Sequence, residues 1–151
     1  MRPQRPSGID DDGSAALEFI AVGVILLVPL IYLVITLGAI QEQALGAEAA
    51  ARHIARVIAR APDAEVAADR SDAVLAGIVD EYGLDPDAVD LSLACTPPAV
   101  ECPSAGATII VTVATRVRLP LVPDLFGLDR STAIPIQAEA VQKVSRSWGA
   151  E

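Results

Sequence analysis

The stretch Gly13-Ser14-Ala15-Ala16-Leu17-Glu18-Phe19, with the apolar run behind it, decides how this chain is read. From Phe19 to Ile40 there are 22 residues without a formal charge, and Tyr32 and Thr36 are the only markedly polar side chains among them. A helix of that length spans ~33 Å, against ~30 Å of bilayer hydrocarbon. In a soluble domain of this size, the side of such a helix turned from the core would meet water. Residues 19–40 are therefore read as a transmembrane helix. Glu18 stands at its N-terminal border. A carboxylate is costly in hydrocarbon, by ~2.5–3.5 kcal/mol at the bilayer centre on insertion scales. Either Glu18 sits solvated at the headgroup level, or it has an opposite charge as its partner.

The wider pattern bears on that choice. A glycine stands directly before a small residue, a glutamate follows at the fifth position counted from Ser14, then an aromatic, then the unbroken apolar run. This resembles the processing site of type IV pilins, specifically the Flp/Tad (tight adherence) class. With Pro29 inside the span and an Ala/Arg-rich helix after it, about the first 60 residues look most like TadE-type pseudopilins. The resemblance implies that a prepilin peptidase cuts between Gly13 and Ser14. The new amino terminus would then pair with Glu18 of a neighbouring subunit, with Phe19 beside it at the membrane edge. A buried carboxylate persists best with an opposite charge, and such a cut creates one next to the membrane. The partners implied are the membrane, the prepilin peptidase, other pilin or pseudopilin subunits and the Tad assembly platform. The location implied is the cytoplasmic (inner) membrane, single-pass, with the N-terminus inside and the C-terminal part extracytoplasmic, reaching the cell surface after assembly. The chain is longer than the very short major pilins of that family, which favours a minor subunit.

One departure stands out. Leaders in this group often carry basic residues next to the cut, whereas Asp10-Asp11-Asp12 precede Gly13 here. Arg2 and Arg5 on one side of the span and Arg52 and Arg56 on the other balance one another, so the positive-inside rule does not decide orientation. The orientation rests on the resemblance and on the absence of another translocation signal. A cleaved secretory peptide is disfavoured. Its apolar region is typically ~7–15 residues, and the segment before this run lacks net positive charge.

The chain has 151 residues, a net charge of −9, 52 % hydrophobic residues and only 3 % aromatics, so its apolarity is aliphatic and alanine-rich. An acidic chain of this kind disfavours a nucleic-acid partner. Residues 1–13, with Pro3, Pro6, Gly8 and Gly13, read as an unstructured cytoplasmic leader, and the helix is expected to start near Ser14 or Ala15. Pro29 removes the hydrogen bond to the carbonyl of Ile25 and predicts a kink. Helical spacing continues past the span. Ala44, Ala47, Ala51, Ile54 and Ile58 recur on one side, and Glu48, Arg52, Arg56 and Arg60 stand four apart on another. That arginine row could face an acidic partner, lipid headgroups or simply water. Pro62 ends the pattern, so one helix is expected over 14–60.

Residues 61–151 then form one small exported α+β domain. Pro62 to Arg70 reads as a polar connection. Asp72 to Tyr82 reads as an amphipathic helix, capped by Ser71 or Asp69 and ended by Gly83. Asp85-Pro86-Asp87 is a turn. From Val89 the period changes to two. Val89, Leu91 and Leu93 alternate with Asp90, Ser92 and Ala94, and most clearly Ile109, Val111, Val113, Thr115, Val117 and Leu119 alternate with Ile110, Thr112, Ala114, Arg116 and Arg118. A third run, Ile134 to Val144, carries Pro135, which demotes its start to an edge or irregular pairing, and its end could instead be helical. The fold class expected is α+β: a long pilin-like transmembrane helix, a small helix and an antiparallel three-stranded sheet.

Cys95 and Cys102 are the only cysteines. A bridge between them would order a short loop and fits an oxidising compartment, the alternative being two free thiols. The apolar loop over 119–130 is expected to fold back on the sheet rather than dock on membrane or neighbour. No catalytic constellation is found, so no enzyme activity is expected, and no cofactor or metal. His53 has no second ligand in view, and Asp85, Asp87 and Asp90 lack EF-hand spacing. Two functions remain: a minor pseudopilin for a Tad/Flp pilus or related secretion apparatus, and an uncleaved single-pass anchor presenting a small binding domain.

Overall fold

A computed structural model describes residues 12–98, 101–120 and 133–149. The element order is α1 (Asp12–Arg60), α2 (Ala64–Glu81), a 3₁₀ turn (Pro86–Ala88), β1 (Asp90–Thr96), β2 (Thr108–Val117) and β3 (Ile134–Lys143). The chain divides into two compact units, Met1–Leu37 and Gly38–Glu151.

In the first unit α1 runs through Pro29 without interruption. It begins at Asp12, so the Gly13–Ser14 bond lies within its first turn rather than before it. Helix ends shift easily by a residue or two, because the first turn forms no intrahelical N–H bonds of its own. Most of the leader lies outside the described residues.

In the second unit the period-two reading of the strands holds. The sheet is an antiparallel meander with order β1-β2-β3. Leu91 and Ala138 flank Val113, and Leu93 and Ala140 flank Val111, so these side chains share one face. Along the central strand Ile109, Val111, Val113, Thr115 and Val117 are buried, with the intervening residues more open. Burying one such aliphatic side chain stabilises the fold by ~1.5–3 kcal/mol. The helices cover that face. Ala47, Ala50, Ala51, Ile54, Ala55, Ile58 and Ala59 of α1 join Ala67 and Ile78 of α2 and the β2 valines in one core. Small residues at these helical spacings let backbones come close. At Gly46 an added Cβ would stand 2.8 Å from Tyr82 Cβ, so only glycine fits.

The structure corrects the reading of residues 62–70. α2 starts at Ala64, not near Asp72, because Asp63 caps it: its side chain accepts from Val66 N–H at 2.8 Å. Ser71, expected as a cap, is buried in mid-helix, and its hydroxyl donates to the Ala67 carbonyl at 2.7 Å. The expected end at Gly83 is found. Gly83 has φ +59°, and Leu84 N–H reaches the Val79 carbonyl, a Schellman closure. β3 remains a strand to Lys143, with Pro135 tolerated at the sheet edge opposite Arg116. Beyond β3 the chain turns back to the end of α1. Ser145 N–H donates to the Ala59 carbonyl and Gly149 N–H to that of Pro62, with half-buried Trp148 against the core. The first of these bonds serves one of the last α1 carbonyls, which a helix end leaves unpaired, and the second ties down the connection to α2.

Candidate membrane anchor and assembly edge

The apolar run has the burial pattern of a segment with no protein around it. Leu17, Phe19, Ile20, Ile25, Leu26, Val28, Leu30 and Val34 are all more than half exposed, and Phe19 reaches 81 %. None of the most apolar part of the run is buried. In water such a surface would be a large exposed patch of the kind that marks a membrane or protein contact. The helix is long and apolar enough to cross a bilayer, and is compatible with a single-pass anchor.

At the start of this surface, Ser14 and Glu18 are four residues apart in α1. That spacing puts them on one face, one turn apart, ~6 Å along the axis. Glu18 and Phe19 are exposed, and Glu18 has no ion-pair partner among the described residues. The helix therefore brings Ser14 and Glu18 to one side of its N-terminal end.

Cys95 and Cys102 are joined in a disulfide, with their Cα atoms 5.8 Å apart. Beside it, Ile58, Ala67, Leu91, Leu93, Pro103 and Val111 line an apolar groove of about 320 Å³. Leu91 and Leu93 stay 38 % and 37 % exposed because β1 is an edge strand. At the other end of the sheet, Asp85 caps the 3₁₀ turn through Asp87 N–H and pairs with Arg118. Asp87 and Asp90 line the same cleft as Arg116 and Arg118, so its acidic groups face cations of the chain itself. Among the described residues no group of three or more His, Cys, Asp or Glu side chains is placed to hold a metal ion. His53 is exposed on α1. The loop expected to fold back on the sheet lies outside the described residues from 121 onward.

Two features were missed in sequence. Gly46 carried no signal, because its requirement comes from Tyr82, far along the chain. The Asp63 cap did carry one: an Asp directly before Ala-Glu-Val, with Pro62 ahead of it. No known family model, characterised protein or solved structure matches the chain. Its class rests on the geometry: a small disulfide-bonded α+β unit on a helix fit to span a membrane.

Proposed function

We propose that the chain is a minor pseudopilin-like subunit of a Tad/Flp pilus or a related secretion apparatus. The observation that carries this reading is the fully uncovered apolar part of α1, with Gly13-Ser14 and Glu18-Phe19 at its N-terminal border. In this reading a prepilin peptidase in the cytoplasmic membrane releases the amino group of Ser14. The C-terminal unit lies outside, where its disulfide is stable. Subunits pack through their long helices, and each Glu18 sets register by meeting a neighbour's amino terminus. A pair of opposite charges is the arrangement that makes a carboxylate tolerable at a membrane edge.

Intact mass and N-terminal sequencing of the protein recovered from membranes of its own host test the reading. A chain starting at Ser14 is the expected result. Glu18→Gln should then reduce incorporation into the assembly while leaving the disulfide and the fold of the outer unit unchanged. Normal incorporation of that variant would sink the register role. One observation also fits a second reading, an uncleaved single-pass anchor presenting the outer unit to a binding partner. The long apolar helix is compatible with a single-pass anchor whether or not the chain is cut. A chain starting near Met1, or a Gly13→Ala chain that still works, would select this second reading.

A further inference from the structure

The second unit carries two exposed faces of opposite charge on neighbouring helices. On α1, Arg52, Arg56 and Arg60 are all exposed. They hold three of the chain's 11 basic residues within nine positions. Glu48 pairs with Arg52 at 2.8 Å, and neither Arg56 nor Arg60 has an ion-pair partner among the described residues. On α2, Glu65, Asp69, Asp72 and Asp80 are exposed and likewise unpaired among the described residues. Steps of three, four and eight residues put these carboxylates on one side of the helix. Ala73 and Ala76, also exposed, lie on that side, so no long side chain screens the carboxylates.

The two rows match in length. Arg52 to Arg60 covers ~12 Å of helix and Glu65 to Asp72 ~11 Å, each with a charge about every turn. The chain as a whole is at −9, so copies repel one another except where a cationic patch meets an acidic one. We propose that the arginine face of α1 docks on the acidic face of α2 in a second copy of this chain. The choice of a second copy rests on the assembly reading above. A lipid headgroup fits less well: Arg52 stands ~18 Å and Arg60 ~30 Å along the helix beyond Ile40, while screening in physiological salt acts over ~8 Å. Exposed pairs contribute little individually. In a membrane, however, copies are held at high effective concentration, where weak complementary contacts suffice to select orientation.

The test uses the full, uncut chain, labelled at its C-terminus with donor or acceptor dye and reconstituted in phosphatidylcholine vesicles. Energy transfer between wild-type copies should fall when salt is raised from ~0.1 to ~1 M. Arg52→Glu with Arg56→Glu should lower the apparent association roughly ten-fold, and Asp69→Arg with Asp72→Arg should do the same. Mixing the two reversed variants should restore transfer between them, because each then offers the face the other lacks. Misfolding cannot produce that recovery. Absence of recovery, or wild-type transfer in either reversed variant alone, would overturn the proposal. So would a dependence on the arginines seen only when phosphatidylglycerol is added, which would point to lipid. Because Gly13 stays uncut, failure of the processing reading leaves this result standing, and failure here leaves the N-terminal sequencing unaffected.

Discussion

Two stretches of the same helix are built for different surroundings. Up to Leu37, α1 is rich in Leu, Ile and Val, and almost all of these side chains are exposed. From Gly46 to Ala59 it is rich in alanine, and Ala47, Ala50, Ala51, Ile54 and Ala55 are almost completely buried. Both stretches have apolar faces, yet the size of the side chains on those faces separates them. Bulky side chains suit a partner that flows around them, as lipid tails do. Small ones suit a rigid partner, because protein interiors pack at crystal-like density and a sheet must come close. Hydrophobicity alone does not tell where a helix is buried; residue volume adds the missing information.

The sharpest way to break this comparison is a pair of truncations. Ile54→Ala should destabilise the second unit by about 2–5 kcal/mol, the usual cost of removing a large side chain from a packed core. Leu27→Ala should leave that stability unchanged within about 0.5 kcal/mol, since Leu27 is 53 % exposed and touches no core. Denaturant unfolding in micelles reads both through the single tryptophan, Trp148, which sits half-buried against the core. Equal losses would mean that the two stretches are not separate in energy.

Much of the fold was legible because hydrophobic period is a local property. The alternation of Val111, Val113, Thr115 and Val117 with Thr112, Ala114 and Arg116 marks a half-buried strand whatever lies around it, and the 22-residue uncharged run marks a helix long and apolar enough to span a membrane. What stayed hidden depends on distant residues. Nothing near Gly46 announces Tyr82, and nothing in Ser145 to Gly149 announces that two of their N–H groups return to Ala59 and Pro62. Residues 64–70 were misread for another reason. They are good helix formers but show few large apolar side chains, so a reading by period gave too little weight to propensity and capping. Glu18 and the Gly13–Ser14 bond were singled out by their resemblance to a processing site, and the pairing proposed for them lies between chains, where a single chain leaves no trace of it.

The next effect in size comes from the disulfide. Cys95→Ser with Cys102→Ser should cost the second unit ~2–3 kcal/mol by the loop-entropy estimate for so short a loop. Fractionation with membranes should not change, because the apolar run is untouched. Loss of membrane association would show that the two regions depend on one another. Gly46→Ala against Gly23→Ala probes the size rule directly. At Gly46 the new methyl would press on Tyr82, and an overpacking cost of about 1–3 kcal/mol works against a helix-propensity gain of ~1 kcal/mol. At Gly23 nothing lies within 4 Å of an added Cβ, so only the gain remains. A lower unfolding midpoint for Gly46→Ala, with none for Gly23→Ala, is the expected outcome.

The smallest effect tests the element that sequence reading placed wrongly. Asp63 accepts a hydrogen bond from Val66 N–H at 2.8 Å, and Glu65 adds negative charge to the first turn of α2. Both are favourable at a helix N-terminus, where N–H groups point outward unpaired. Asp63→Ala should therefore destabilise the second unit by ~1 kcal/mol, and Asp63→Ser, which keeps an acceptor oxygen, should restore most of it. Asp63 is exposed and far from the apolar run in sequence, so neither change should alter membrane fractionation. Hydrogen exchange adds a local readout. In Asp63→Ala the amides just after Val66 should exchange faster, while those around Ile78 keep their protection, since Ile78 is held by the core. If the alanine variant matched the wild type in both measurements, residues 64–70 would be a connection in solution after all, and the acidic face that begins at Glu65 would lose its first turn.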